Sequence, residues 1–468
     1  MLPRPIAAPK WEYIGLRPIP SKRLDLVRPT FGGAAQSPKG DDVATRWAAS
    51  VSKVVHPIAV RRHSPSVRSQ ERAKLSTRQH AQFSVTWTQV AAFRLSRHHL
   101  SERAPAQALI SVVHDMAGAQ AQLLSAAQIS FWSRVRDLRI SHVEEALSER
   151  TLVKASCMRR TLFLVPSEHL AIFVRGSARR AEKEIRWAHG KGVPDRVVDA
   201  AIDAALGALD EPLTRPEIAE RVSRALGVRM RAVHGGGWGR QSKLAAVPVG
   251  KLTYPVVDLL HLVGARGVVC YGPNRDNEPT FVRADAWIPR WQDLPVEQAE
   301  GMLLRRYLRA FGPATAADFS MWSGISLTDA REIWAREQAG FAPVNVAGWA
   351  AAVLREDLDE LAQAEFERPL VRLLPYFDSF LLGHKEREHL MAVEHRPKVY
   401  RAQGWITPVV LVDGRAAAVW EHTREGNRLR VKVAKFGSIS RRITAGIREE
   451  ARDLGRFLGI PNVDVQIG

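Results

Sequence analysis

The chain has 468 residues, of which 68 are Lys or Arg and 49 are Asp or Glu, and its formal charge is +19. Its two cysteines, Cys157 and Cys270, stand far apart without a C-x-x-C pair, which excludes a disulfide framework and a cysteine zinc site. Because residues 1–10 lack the apolar core of a signal peptide and no apolar run approaches the roughly 20 residues that cross a bilayer, we expect a cytoplasmic protein of about three globular units.

The isoelectric point near 10.4 is the strongest global signal, because clustered Lys and Arg side chains displace counterions from a phosphate backbone. Nucleic acid is therefore the leading partner, although Arg-rich proteins from GC-rich genomes need not bind it. Residues 1–80 contain 9 of the 27 prolines, with 15 Lys or Arg against 5 Asp or Glu. Such a segment cannot bury enough apolar surface to offset the entropy of ordering, so we expect a disordered basic tail.

The first folded unit is predicted from residue 81 onward. Apolar residues at helical spacing predict helices over 90–95 and 108–116. Short β-like runs at 151–155 and 161–165 flank the basic turn Met158-Arg159-Arg160 and predict a hairpin. Helices followed by a two-stranded ribbon are the element order of a winged helix.

The same order recurs twice more. A helix with a Thr cap and a Pro in its first turn is predicted from residue 214, and a ribbon follows over 267–271 and 280–282. A third copy begins with the apolar face of 303–311 and continues with a helix over 326–334. This repetition predicts a tandem array of three units.

The chain after residue 367 is rich in β-like runs. Four strands are predicted over 370–374, 405–412, 416–420 and 429–433, with Asp413-Gly414 as a hairpin turn. A closing helix over 444–458 is expected to pack on them, which predicts a small sheet or barrel.

Together these patterns predict an α+β protein that is mainly α, with three tandem winged-helix domains and a C-terminal β-barrel-like domain. The predicted divisions are a tail over 1–80, winged-helix domains over 81–205, 206–295 and 296–366, and a β-rich domain over 367–468.

The most informative segment for function contains Gln120 and Gln122, which follow Gly118. In a continuous helix, residues two positions apart point about 200° away from each other, whereas in an extended segment they project to the same side. Gly118 makes an extended break plausible. One alternative is a pair of amides that serve one site, and the other is two ordinary polar residues of a helix surface.

Several segments carry a family resemblance when they are taken together. They are Gly118-Ala-Gln-Ala-Gln122, Arg150-Thr-Leu-Val-Lys154, Met158-Arg-Arg-Thr-Leu162, Gly272-Pro-Asn-Arg275, Arg306-Tyr-Leu with Gly312-Pro-Ala-Thr315, Leu374-Pro-Tyr-Phe-Asp378 and the segment 404–414. In this order, over about residues 85–460, they resemble the winged-helix DNA glycosylases that excise alkylated purines, among them enzymes that unhook azinomycin-type interstrand crosslinks. The likeness is specific as a whole, although no single motif is.

The resemblance implies three winged-helix domains and a C-terminal barrel that form a basic concave scaffold around duplex DNA. It also implies that a Q-x-Q motif, here Gln120 and Gln122, carries the chemistry. The family pattern Met-Arg-Gly-Thr-Leu-His is altered at two positions, because Arg160 replaces the glycine and Phe163 replaces the histidine.

The chemistry agrees with so modest a motif. An N7- or N3-alkylated purine is already cationic, so it leaves through an oxocarbenium-like state without a strong acid. A Gln amide is no general base, but its carbonyl can orient water and stabilise positive charge on the sugar. Without a lysine nucleophile in the motif, we expect simple hydrolysis to an abasic site.

The predicted DNA contacts are Arg159 and Arg160 at the tip of the first ribbon, with Arg275 and Arg306 as weaker candidates. A solvated turn or a wet helix face is the alternative explanation of these arginines. No metal or cofactor is implied, since no H-E-x-x-H or Cys/His zinc set occurs.

The expected partner is double-stranded DNA with alkylated or crosslinked purines, bound by a monomer at the nucleoid. The second hypothesis is a noncatalytic winged-helix regulator, which would predict a symmetric dimer on paired half-sites. Three tandem domains in one chain offer no need for that symmetry.

Overall fold

The computed structural model describes residues 83–235, 242–276 and 278–468, and the tail predicted over 1–80 lies outside them. In this part of the chain no helix is long and apolar enough to cross a lipid bilayer. The described residues combine helices with five small sheets. The fold is therefore α+β, as predicted.

The N-terminal unit contains the helices and the hairpin expected from sequence. Its elements are β1 Phe83–Val85, α1 Trp87–Arg97, α2 Leu109–Asp115, β2 Ala119–Gln120, α3 Leu124–Trp132, α4 Ile140–Ser148, β3 Leu152–Ser156, β4 Leu162–Pro166, α5 Leu170–Arg175 and α6 Arg179–Gly190. A capping box of Thr86 and Gln89 starts α1. Strand β4 pairs antiparallel with β3 on one side and with β2 on the other, so the hairpin is widened to three strands.

We refer to residues 195–287 as the second unit. Its elements are α7 Asp195–Ala208, β5 Leu213–Thr214, α8 Arg215–Ala225, β6 Arg231–Gly235, β7 Ser242–Val249, β8 Leu252–Pro255, α9 Val256–Val263, β9 Val269–Tyr271, β10 Thr280–Arg283 and α10 Ala284–Trp287. The predicted start of α8 is confirmed, because Thr214 and Glu217 form its capping box. The antiparallel sheet β6-β7-β8 was not predicted, since adjacent alanines and Pro248 weaken the β pattern of its central strand.

The third unit shares its sheet with the first strand of the described chain. Its elements are α11 Val296–Phe311, α12 Ala316–Ser323, α13 Leu327–Glu337, β11 Phe341–Val346, β12 Trp349–Leu354 and α14 Leu358–Gln363. Strand β1 runs parallel to β11, with Phe83 opposite Val344, and β11 pairs with β12. Apolar residues of β1 and α1 are buried in the same cluster as Val344 and Val353. The first strand of the described chain therefore belongs to the same sheet as β11 and β12.

The C-terminal region forms an open sheet. Its elements are β13 Val371–Leu374, α15 Arg396–Val399, β14 Val409–Val412, β15 Arg415–Glu425, β16 Arg428–Lys435, α16 Arg441–Phe457 and β17 Asn462–Ile467. The strand order is β13-β14-β15-β16-β17, and the last pair is parallel. Asp413 and Gly414 both have positive φ, at 51° and 79°, as the predicted tight hairpin turn requires.

The predicted barrel is not observed in the described residues. Its closure would require β13 to pair with β17, but these strands lie at opposite edges of the sheet. Helix α16 contacts both of them, and its Ile447 and Leu454 join the core with Leu373. The helix covers one face of the open sheet.

A buried ion pair joins the N-terminal unit to this C-terminal region. Arg134, just after α3, donates from Nη2 and Nη1 to the two carboxylate oxygens of Asp378 at 2.7 and 2.8 Å, and both side chains are 0% exposed. Ser130 Oγ and the backbone N–H of Phe380 donate to the same carboxylate at 2.7 and 3.0 Å. The hydrogen bonds offset the desolvation that a buried charge pair costs.

We expect Asp378→Asn to lower the free energy of unfolding by about 3–5 kcal/mol, because it leaves the buried Arg134 charge without its counterion. The measurement is urea denaturation. The control is Glu220→Gln, which neutralises a carboxylate whose exposed pair with Arg224 contributes below about 1 kcal/mol. Equal effects of the two substitutions would contradict the structural importance of the buried pair.

The pair also makes stability depend on pH with a definite sign. Burial alone would raise the pKa of Asp378, but the Arg134 charge and the hydrogen bonds outweigh it and hold the pKa below its ordinary value of 3.8. A carboxyl group with a lowered folded pKa stabilises the protein above its unfolded pKa. The stability difference between wild type and Asp378→Asn should therefore be constant above about pH 5 and shrink below about pH 4. Urea denaturation across this range measures it, and a difference that stays constant at pH 3 would contradict the assignment.

Candidate functional site

A reversal of the backbone places the two glutamines in an extended segment. Helix α2 ends at Asp115, and Gly118 has φ +83°, a conformation that a side chain rarely adopts. A Cβ added to Gly118 would lie 2.9 Å from Val165 Cγ1 and 3.3 Å from the carbonyl oxygen of Leu164. The predicted break after Gly118 is confirmed, and only glycine fits this turn against β4.

Both glutamine side chains reach the loop of the β3–β4 hairpin. Gln120 lies opposite Phe163 in the β2–β4 pairing, and its side-chain carbonyl accepts a hydrogen bond from Arg159 Nη2 at 3.2 Å. The side-chain carbonyl of Gln122 accepts from the backbone N–H of Leu162 at 3.0 Å. Two residues apart in an extended chain, the amides therefore meet the same four-residue segment, 159–162.

These contacts fix the orientation of each amide. Arg159 and a backbone N–H are donors only, so each glutamine must turn its carbonyl oxygen toward the hairpin. A carbonyl oxygen has two lone pairs, and each of these contacts uses one of them; Gln120 is buried at 7% exposure and Gln122 is partly exposed. Neither Nε2 group makes a hydrogen bond within the described residues. The arrangement can therefore accept a water hydrogen and present a negative dipole end.

Arg159 is turned toward the protein rather than outward from a free ribbon tip. It has φ +55° in a single turn of 3-10 helix, and it donates to the carbonyl of Trp322 at the C-terminal end of α12. Burial, followed by the charges of Arg180 and Arg387, lowers the pKa of Arg159 to about 10. Arg159 is thus held beside Gln120 by neutral acceptors.

Arg160 ties the same loop to the second unit and to α6. Its guanidinium donates to Glu184 at 2.9 Å and to Asp258 at 2.5 Å. Its φ of +58° is a conformation that glycine adopts readily, and glycine is the residue of the family pattern. In this chain Arg160 takes that position and forms ion pairs instead. Phe163, the other departure, is buried at 1% exposure in the core.

The remaining two candidates lie elsewhere. Arg275 binds Glu217 Oε1 at 2.6 Å and the carbonyl of Pro212 at 2.8 Å, and it has no contact with the glutamines. Arg306 on α11 donates to the carbonyl of His114 at 3.3 Å and lines a surface cavity of about 220 Å³. The structure thus brings together Gln120, Gln122 and Arg159, with Arg160 next to them in the loop.

Sequence reasoning missed residues that hold the backbone next to the glutamines and the side chain of Arg159. Ser379 Oγ donates to the carbonyl of Gly118 at 2.8 Å, next to the buried Asp378. Asp378 is the last residue of the Leu374-Pro-Tyr-Phe-Asp378 segment, which carried part of the family resemblance and so pointed to this part of the chain. Trp322 acts through its backbone carbonyl, so no side-chain pattern could reveal it.

A small titratable cluster lies just before the site. Burial opposes ionisation of Asp115, but hydrogen bonds from His114 Nδ1 at 2.9 Å and His99 Nε2 at 2.8 Å hold its pKa well below the usual range. Within the described residues, no three or more His, Cys, Asp or Glu side chains form a group that could hold a metal ion.

We expect Gly118→Ala to lower the free energy of unfolding by about 3 kcal/mol, since it combines positive-φ strain with overlap against β4. Urea denaturation measures this change. Gly426→Ala is the matched control, because Gly426 also has positive φ but its added Cβ would meet nothing within 4 Å; we expect about 1 kcal/mol there. Similar costs at the two sites would argue against tight packing of Gly118.

Comparison with known proteins identifies the family. The model that describes AlkZ-like DNA glycosylases matches residues 113–457. The chain is 32% identical over 396 residues to an interstrand DNA cross-link repair glycosylase of Streptomyces sahachiroi. This alignment covers 82% of this chain and 99% of the Streptomyces protein. The solved structure of the Streptomyces sahachiroi DNA glycosylase AlkZ aligns with a TM-score of 0.69 at 29% identity, over 82% of this chain and 100% of that one. The chain therefore belongs to the AlkZ-like DNA glycosylase family.

Proposed function

We propose that this glycosylase hydrolyses the N-glycosidic bond of N7- or N3-alkylated purines in duplex DNA and leaves an abasic site. We further propose that interstrand crosslinks are among its substrates, because its Streptomyces relative is named for their repair. The observation that carries the proposal is the convergence of Gln120 and Gln122 on the hairpin loop beside Arg159. Two ordinary polar residues on a helix surface would not be expected to contact the same loop.

In the proposed reaction the glutamines act on water and on charge. The cationic purine leaves with the electron pair of its glycosidic bond, while water adds to C1′ and gives its proton to solvent. The free lone pairs of the Gln120 and Gln122 carbonyls accept a hydrogen from that water, and their dipoles stabilise the oxocarbenium-like sugar. No cofactor is needed, since alkylation has already made the base a good leaving group.

The sheet register supports a monofunctional reaction. Lys154 lies opposite Leu164, which pairs with Ala119, whereas Gln120 pairs with Phe163. Neighbouring residues along a strand point to opposite faces, so the Lys154 amine belongs to the face away from Gln120. Hydrolysis by water, without a Schiff base, is therefore the proposed course.

The four predicted arginines stay in the proposal as DNA contacts of unequal strength. Arg159 and Arg306 donate to neutral oxygens, so a phosphate can compete for them at little cost. Arg160 and Arg275 already bind carboxylates, and a phosphate would have to displace these partners. We assign the stronger contacts to Arg159 and Arg306.

The proposal extends to the domain arrangement. Each of the three helix-and-sheet units is taken as a winged-helix domain, and the protein is taken to act on duplex DNA as a monomer. The observed element order supports this, since each unit has helices followed by antiparallel strands. A noncatalytic regulator is the alternative, and it is an outcome of the experiment below.

The test is release of the modified base from duplexes that carry N7-methylguanine or an N7-linked interstrand crosslink. We expect release by the wild type, and a loss of at least about a hundredfold in Gln120→Ala/Gln122→Ala, because both positioned carbonyls are removed. Chromatography of the freed base and cleavage of the abasic product measure the reaction.

The matched control is Gln466→Ala, which removes an exposed glutamine from the edge strand β17 and should leave the rate unchanged. DNA binding of the double variant should stay within about twofold of the wild type. No base release by the wild type, together with tight salt-dependent binding, would overturn the proposal in favour of the regulator. Full activity of the double variant would remove the glutamines from the mechanism.

A further inference from the structure

Three arginines gather near Gln120. They are Arg159 in the hairpin loop, Arg180 at the start of α6 and Arg387 in the segment between β13 and α15. None of the three has an ion-pair partner among the residues that the structure describes. All three are only partly exposed. In a protein with many paired arginines, this local excess of positive charge requires an explanation.

The contrast with the adjacent residue of α6 is sharp. Arg179 forms ion pairs with Glu300 at 2.5 Å, Glu332 at 2.8 Å and Asp329 at 3.5 Å. Arg180, one position later, forms none in the described chain. Burial, together with the nearby charge of Arg160, lowers the pKa of Arg180. The helix thus uses one arginine in ion pairs and leaves the next without one, although the charge of Glu184 acts on Arg180 from a greater distance.

Gly324 brings Arg180 against the hairpin loop. A Cβ added at Gly324 would lie 2.7 Å from Arg180 Nη1 and 2.9 Å from the Cα of Arg159. Gly324 follows α12 with φ +79°, so glycine is required there for two reasons. The close approach places a second guanidinium beside the one that contacts Gln120.

Arg387 is held by an aromatic ring instead of a carboxylate. Its guanidinium carbon lies 3.7 Å from the ring centre of Tyr400, a cation–π contact. The two acidic neighbours of Arg387 are paired elsewhere, Glu386 with Lys385 and Glu388 with Arg396, both at 3.8 Å. The positive charge of Arg387 is close enough to Arg159 to help lower the pKa of the Arg159 guanidinium.

Bringing like charges together in a partly buried place costs free energy unless an anion compensates them. Each of the guanidinium groups has donors that its neutral supports do not use, since Arg carries five N–H donors. A phosphate accepts several such hydrogen bonds at once. The nucleic acid that a glycosylase must hold supplies phosphates beside every nucleotide.

We propose that Arg159, Arg180 and Arg387 form a seat for one backbone phosphate of the damaged DNA strand, next to the nucleotide that faces Gln120. This deepens the proposed function and rests on it, because the seat sets the position of the sugar relative to the glutamines. Arg180 and Arg387 are positioning residues that neither the motif nor the sequence predictions included.

The test uses duplexes that contain a tetrahydrofuran abasic analogue, with a neutral methylphosphonate placed at one phosphate at a time around it. The dissociation constant is measured by fluorescence anisotropy for the wild type and for Arg180→Ala/Arg387→Ala. We expect one methylphosphonate position to weaken wild-type binding roughly tenfold. The variant should bind the all-phosphate duplex about that much more weakly and lose nothing further at that position.

The salt dependence provides a second readout. The slope of log affinity against log salt should fall by about one to two in the variant, since up to two arginines no longer release counterions. Arg224→Ala/Arg452→Ala removes two exposed arginines from α8 and α16 and is the charge-matched control. It should keep the sensitivity to the single methylphosphonate position.

Each outcome can be assigned to one proposal. A wild type that is insensitive at every position, or a variant that keeps the same sensitivity, would overturn the phosphate seat. If thermal melting shows that the double variant is unfolded, the methylphosphonate scan is carried out on the wild type and on Arg180→Lys, and these two proteins test the phosphate seat. Absence of base release from N7-methylguanine DNA would overturn the glycosylase mechanism, whatever the scan shows.

Discussion

The buried ion pair of Arg134 and Asp378 is the constraint on which the site depends. Its four hydrogen bonds, counted on the carboxylate, hold the segment that begins at Asp378. Ser379 of that segment binds the carbonyl of Gly118. Gly118 directs the chain into β2, and β2 carries Gln120. A buried charge pair therefore helps to determine where the side-chain amides of Gln120 and Gln122 lie.

The hairpin loop over 158–162 is the second determinant, because residues from all three units meet there. Leu162 binds the amide of Gln122, Arg159 binds the end of α12, and Arg160 binds α6 and α9. The glutamines are thus fixed only when the three units are packed together. A regulator that reads a groove with separate winged helices would not need these contacts between distant parts of the chain.

The sequence predicted what depends on local pattern. The helix start at Thr214, the β3–β4 hairpin and the Asp413-Gly414 turn follow from short-range rules, and so does the break after Gly118. The pairing of β1 with β11 could not be predicted, because Phe83 and Val344 lie 261 positions apart in the chain, and the strand patterns left open whether the C-terminal sheet closes into a barrel. The inward turn of Arg159 depends on a backbone carbonyl, which leaves no trace in residue types.

The positive cluster beside Gln120 bears on how binding and catalysis are connected. An oxocarbenium-like transition state is positively charged, so three guanidinium groups close by, without ion-pair partners in the described residues, would raise its energy. A seated phosphate would reduce this effect, since its single negative charge offsets part of the arginine charge and lies close to the sugar. The same arginines would then disfavour the reaction in an empty or misaligned complex and permit it in a correctly aligned one. On the proposed mechanism, weak groups such as two amides would suffice, because the charge of the substrate's own backbone would complete the site only when the damaged nucleotide is in place.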